Sequence, residues 1–185
     1  MILLWIVCGI LALWMLKYIF LISKRLILLS KIKKHAKENY CKLQYTRHPL
    51  YSVFKHDSKP DLCIHLKDKT VFVTVITTPF RRIRYHFIQN ETLELVHERR
   101  GTFMTNPRRP NPQATVDRRY VIRRYPMVFS NEASDPHALH YVILHPAPYS
   151  ATKAEGSQIH LLHDNDVLFG NVRVCGLRYF LKNLD

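Results

Sequence analysis

The sequence predicts a mixed α/β domain carried on a single N-terminal transmembrane helix. Three observations predict it. Residues 1–23, MILLWIVCGILALWMLKYIFLIS, hold one charge, Lys17, whereas Lys24 to Lys37 hold six, all positive. About 20 apolar residues in a helix cross a bilayer core of ~30 Å, so the first stretch is long enough. Beyond Pro49 the apolar residues switch to strand-like alternation, and near the C-terminus helical spacing returns.

The N-terminal segment reads as an uncleaved anchor. Its start lacks the basic residues of a signal peptide, no Ala-x-Ala site follows, and Trp5 and Trp14 make it apolar on every face. Lys17 lies near the basic end, where its long stem can carry the ammonium toward the headgroups. Positive charge just past an apolar span stays on the cytoplasmic side, which puts the N-terminus outside and the bulk of the chain in the cytoplasm. The expected organisation is an anchor over 1–23, a basic juxtamembrane helix over 24–45 and a cytoplasmic α/β domain over 46–185.

The juxtamembrane helix is predicted from Leu29, Ile32, Ala36, Tyr40 and Leu43, one apolar stripe at spacings of three and four. Lys24, Arg25, Lys31, Lys33 and Lys34 are expected at the lipid headgroups, each worth about 1 kcal/mol against an anionic leaflet.

Strands are expected at 50–54, 62–66 and 70–77, the last β-branched and apolar on both faces, as a central strand would be. Residues 82–88 alternate, with Ile83, Tyr85 and Phe87 inward and Arg82, Arg84 and His86 outward. A strand through Leu93 and Leu95 follows, and together these elements are expected to form an antiparallel meander. Residues 98–118, rich in Pro, Asn and Arg, read as a long irregular loop. Strands resume at 119–123, 139–144 and 158–162. Pro146, Pro148 and the 151–156 stretch read as a loop, and 171–184 as a closing helix.

Charge narrows the partner. Residues 24–125 hold 23 Lys and Arg against eight Asp and Glu, a net of +15, whereas residues 126–185 carry −2. Arginine doublets dominate, and guanidinium forks match phosphate oxygens. Arg82, Arg84, Arg108, Arg109, Arg118, Arg119, Arg123 and Arg124 are the candidate contacts to an anionic partner: nucleic acid, anionic lipid or an acidic protein. Cys41, Cys63 and Cys175 are too widely spaced for a disulfide framework or a cysteine zinc site. His137-x-x-His140 and His160-x-x-His163 would point to opposite faces of a strand. His163, Asp164 and Asp166 could meet in a turn. No glycine-rich phosphate loop is present, and no cofactor or metal is expected.

One arrangement carries a family likeness. A helix, a strand, and then Pro60-Asp61 opening a hairpin onto a buried β-branched run resembles the core of the PD-(D/E)xK, or restriction-endonuclease-like, superfamily over roughly residues 30–78. The resemblance implies a nuclease-like scaffold, in which the Asp and an acidic residue on the next strand bind Mg²⁺ and a nearby lysine positions water. The expected pairing sets Asp61 opposite about Val75, so the acidic and lysine positions fall among Val73, Val75 and Thr77, which cannot perform those roles. The primary expectation is therefore a non-enzymatic, membrane-tethered module. The alternatives are a Mg²⁺-dependent nuclease using Asp61 with Glu38 or Glu94, and a structural subunit docking on another membrane protein.

Overall fold

A computed structural model describes residues 2–39, 41–48, 60–67, 69–78, 83–88, 92–97, 120–126, 138–155 and 158–184. A single helix, α1 (Ile2–Glu38), runs through the apolar segment and on into the domain. At 1.5 Å per residue it is about 55 Å long. No part of its most apolar stretch is covered by the domain, and it is long and apolar enough to cross a membrane. Its second half is amphipathic: Leu28, Leu29, Ile32 and Ala36 are all but fully buried, while Lys31, Lys33 and Lys34 are exposed.

The helix ends earlier than its apolar stripe suggests. The Cys41 N–H bonds back to the Ala36 carbonyl, closing the last turn. The chain then reverses into strand β1 (Lys42–Tyr45), so Leu43 sits in a strand and the predicted helix over 24–45 is shortened to Glu38. A helix and a strand can both place an apolar residue on one side of a layer, and the pairing of β1 with the next strand decided between them.

Among the described residues the strands form two sheets. The first is mixed and ordered β1, β2 (Leu62–His65), β3 (Thr70–Thr77), β7 (Ala138–His145), β11 (Val172–Gly176), β10 (Val167–Phe169). The second is ordered β6 (Tyr120–Pro126), β5 (Thr92–His97), β4 (Ile83–Ile88), β8 (Ser150–Glu155), β9 (Gln158–Leu162). The expected meander is therefore split. β3 pairs in parallel with β7, and β4 leaves for the second sheet, where it pairs in parallel with β8. A strand apolar on both faces needs cover on both, and β3 obtains it from a helix on one side and a sheet on the other.

Two cores result. Leu28, Leu29, Ile32 and Ala36 of α1 pack on Leu62, Ile64, Val71, Val73 and Val75, joined by Phe180 and Leu184 from the C-terminus. Ile76, Val142, Leu144, Val172 and Val174, on the opposite face of the first sheet, pack against Ile83, Tyr85, Phe87, Leu93 and Ala151 of the second. The order of layers is helix, sheet, sheet. The predicted inward set of β4 is confirmed: Ile83, Tyr85 and Phe87 are at most 3 % exposed.

Three other elements differ from expectation. Residues 150–155 form β8 rather than a loop, because alternation there is carried by Ala151, too small to stand out in the pattern. The closing helix is only α2 (Leu177–Lys182), preceded by the β10–β11 hairpin. Val172 and Val174 alternate with Arg173 as a strand requires, and Gly170 turns the hairpin at φ 49°. The predicted strand at 50–54 and the loop at 98–118 lie outside the described residues.

Candidate functional site at the helix–sheet junction

Asp61, the residue the nuclease-like resemblance turns on, lies immediately before β2, where α1 packs on the sheet. Leu62 pairs with Val73, so Asp61 falls opposite Thr74, one residue from the expected partner. The Asp61 N–H donates to the Val73 carbonyl at 2.8 Å. Its carboxylate turns toward Val75, whose N–H donates to Oδ2 at 2.7 Å.

Arg25 completes the arrangement. Its Nη1 donates to the Val75 carbonyl at 2.6 Å, and its Nη2 lies 2.6 Å from Asp61 Oδ1. Both backbone polar groups of Val75 are thus engaged, the N–H by the carboxylate and the C=O by the guanidinium. The side chains are 3 % and 6 % exposed. The Nη2–Oδ1 approach is an ionic contact without hydrogen-bond alignment, and Arg25 Nε has no hydrogen-bond partner among the described residues. Arg25 was expected at the lipid headgroups. It is instead buried, because only two residues past the apolar segment the inward face of α1 already meets the sheet.

This changes what Asp61 can do. One oxygen holds a backbone N–H and the other a guanidinium, so the groups that a hard divalent ion would need are already engaged. The carboxylates named as alternative partners are elsewhere. Glu38 is 13 residues along α1 from Arg25, a rise of about 20 Å, and is exposed beside Lys34. Glu94 stands opposite His86 in the second sheet. Among the described residues no three His, Cys, Asp or Glu side chains gather as a metal would require.

The turn after β9 sends its carboxylates to separate tasks. Asp166 Oδ2 accepts the His163 N–H at 2.7 Å, and Asn165 takes the left-handed conformation at φ 78°. Asp164 Oδ1 accepts the Gly176 N–H at 2.6 Å, at the entry to α2. These are turn and helix-entry bonds, the roles Asp and Asn commonly fill.

Sequence reasoning missed a polar patch on the first sheet. The registers place Cys63 beside Phe72, and Phe72 beside His140. His140 is 5 % exposed, and its Nε2 lies 2.7 Å from the Thr74 hydroxyl. Burial lowers its pKa from 6.5 to about 4, so the ring is neutral at physiological pH. Cys63 Sγ is 3.5 Å from His65 Nε2 on the same strand. The only sequence signal was the i,i+2 spacing of Cys63 and His65. The Thr74–His140 pair spans 66 residues and depends on parallel pairing that no local pattern reveals.

The basic row of β4 is present in part. Arg84 and His86 are half-buried on the outward side; His86 Nδ1 lies 2.7 Å from the Thr152 hydroxyl, and the Arg84 guanidinium sits 5.5 Å from the Tyr149 ring. Register sets Arg123 against Leu95 and Arg124 against Glu94, with a shift between Leu95 and Val96. Arg82, Arg108, Arg109, Arg118 and Arg119 lie outside the described residues. Lys24 stands 4.2 Å from the Phe20 ring, and Lys33 5.9 Å from the Tyr45 ring.

Comparison of the chain with family models, with curated proteins and with solved structures gives no match.

Proposed function

We propose that the protein is a membrane-tethered, non-enzymatic domain that holds an anionic partner at the bilayer surface through its arginine-rich region. The observation that carries this reading is the unbroken run of α1 from the candidate span into the core. A domain joined to its anchor by a flexible linker would sample a wide volume. One whose anchor helix is also a core helix is held at a fixed height, which suits a tether that presents a surface. The +15 charge of residues 24–125 supplies the attraction, and arginine forks supply the phosphate or carboxylate contacts. The nuclease-like resemblance enters here as a proposal about scaffold alone, in which the Asp61 position serves the helix–sheet junction.

The test uses the full chain in neutral-lipid nanodiscs and a fluorescent DNA duplex as the polyanion probe. The expected affinity falls steeply with salt. The double substitution Arg123→Gln with Arg124→Gln flattens the log–log slope by about 1–2, since each phosphate that an arginine neutralises adds roughly 0.9 to it. Binding unaffected by salt would refute the electrostatic reading and favour a subunit that docks on another protein. Mg²⁺-dependent cutting of the duplex abolished by Asp61→Ala would refute the non-enzymatic assignment.

A further inference from the structure

Four elements meet at the end of the domain from which the apolar half of α1 emerges. Arg25 fixes α1 to Val75, two residues before β3 ends. The Thr78 N–H donates to the carbonyl of His145, the last residue of β7, and the Tyr149 N–H donates to the carbonyl of Ile83, the first residue of β4. Residues 145–149 therefore close the end of the domain nearest the candidate span. Lys24 and Lys31 are near enough to His145 to depress its pKa, second to burial. Tyr149 is 69 % exposed, with the Arg84 guanidinium beside its ring.

An exposed tyrosine with a cation beside it is the chemistry of a membrane interface, where the ring lies at headgroup level and the cation meets phosphate. The position agrees with that chemistry. Lys24 follows directly on the apolar segment, and because α1 continues into the core this end of the domain cannot swing away from the surface. The other end of β3 lies roughly 25 Å away, at about 3.3 Å per residue. His65 is exposed at that far end, paired with Thr70.

We propose that the Tyr149–Arg84 rim, together with Lys24 and Lys31, binds anionic phospholipid headgroups and gives the domain a second contact with the bilayer. This rests on the reading that α1 is inserted in the membrane. The rim explains how a basic domain can be oriented as well as tethered: α1 sets its height, and the rim sets its rotation about the helix axis.

The test places the photo-crosslinker p-benzoylphenylalanine at position 149, or at position 65, in the full chain in phosphatidylcholine nanodiscs with and without phosphatidylserine. Lipid adducts are expected at 149 and not at 65, enriched in phosphatidylserine over its share of the lipid. Lys24→Gln and Arg84→Gln should each lower the phosphatidylserine adduct about fivefold, the equivalent of ~1 kcal/mol per near-surface charge. Lys24 belongs to neither buried core, so its replacement leaves the fold intact. Equal adducts at 149 and 65, or adducts with no preference for phosphatidylserine, overturn the proposal. Alkaline carbonate extraction separates the two readings: release of the chain sinks both membrane insertion and the rim, whereas retention without adducts at 149 sinks the rim alone.

Discussion

Replacing Arg25 with Met strands the Asp61 carboxylate. Both side chains are buried, so solvent cannot take over from the missing partner, and the carboxylate keeps only the Val75 N–H. Breaking a buried pair by removing one partner costs about 3–5 kcal/mol, most of it the penalty on the charge left behind. The Val75 carbonyl also loses its donor, worth about 1 kcal/mol. Asp61→Asn alone leaves a guanidinium unpaired and should cost a similar amount. Combining Arg25→Met with Asp61→Asn removes both charges while an amide oxygen can still accept the Val75 N–H. The double variant should therefore be well short of additive, losing about 1–2 kcal/mol in all, with a coupling energy above about 2 kcal/mol. Arg25→Lys should also be costly, because one ammonium replaces two guanidinium nitrogens that serve two acceptors in fixed geometry. Pulse proteolysis of the full chain in nanodiscs across a urea series measures these differences. Single-variant losses below about 1 kcal/mol, adding without coupling, would refute the argument and return Arg25 to the headgroup role that its sequence position suggests.

Two further expectations follow from the cores. His140 is held neutral by burial with a pKa of about 4 against 6.5 for a free imidazole. Between those values the unfolded chain binds a proton that the folded chain does not, so stability falls as pH drops from about 6.5 toward 4, by up to about 3 kcal/mol from this residue; in the same proteolysis assay His140→Gln should flatten that window, and an unchanged pH profile would count against the buried neutral ring. Ile32→Ala, at a fully buried position, should cost about 2–5 kcal/mol, whereas Leu13→Ala on the same helix, where the side chain is exposed from the domain, should change domain stability by less than about 0.5 kcal/mol; equal losses would contradict the division of α1 into an uncovered apolar half and a core half.

What could be read from the sequence follows periodicity. Ile83, Tyr85 and Phe87 alternate with polar neighbours, and all three are buried where alternation puts them. The β-branched run at 70–77 is a central strand, and 139–144 falls within another. Leu29, Ile32 and Ala36 mark the inward face of α1 correctly. The pattern failed where two geometries satisfy it equally. Leu43 fits both a helix stripe and a strand face, and Val174 fits both a closing helix and β11. Ala151 is too small to mark β8. The candidate site shows the same division: Pro60-Asp61 is visible as a dipeptide, but the residue that occupies Asp61 is Arg25, far earlier in the chain, in a stretch whose charges looked lipid-facing.

The sequence by itself determined the apolar helix, the strong positive bias of the middle of the chain and the alternation that makes strands. These are short-range properties, since hydrophobic period and charge are carried by neighbouring residues. The tertiary structure alone decided the pairing of β3 with β7, the division of the strands into two sheets and the capture of Asp61 by Arg25. Each joins residues tens of positions apart, and the need to cover both faces of β3 while pairing the buried Asp61 carboxylate selects them.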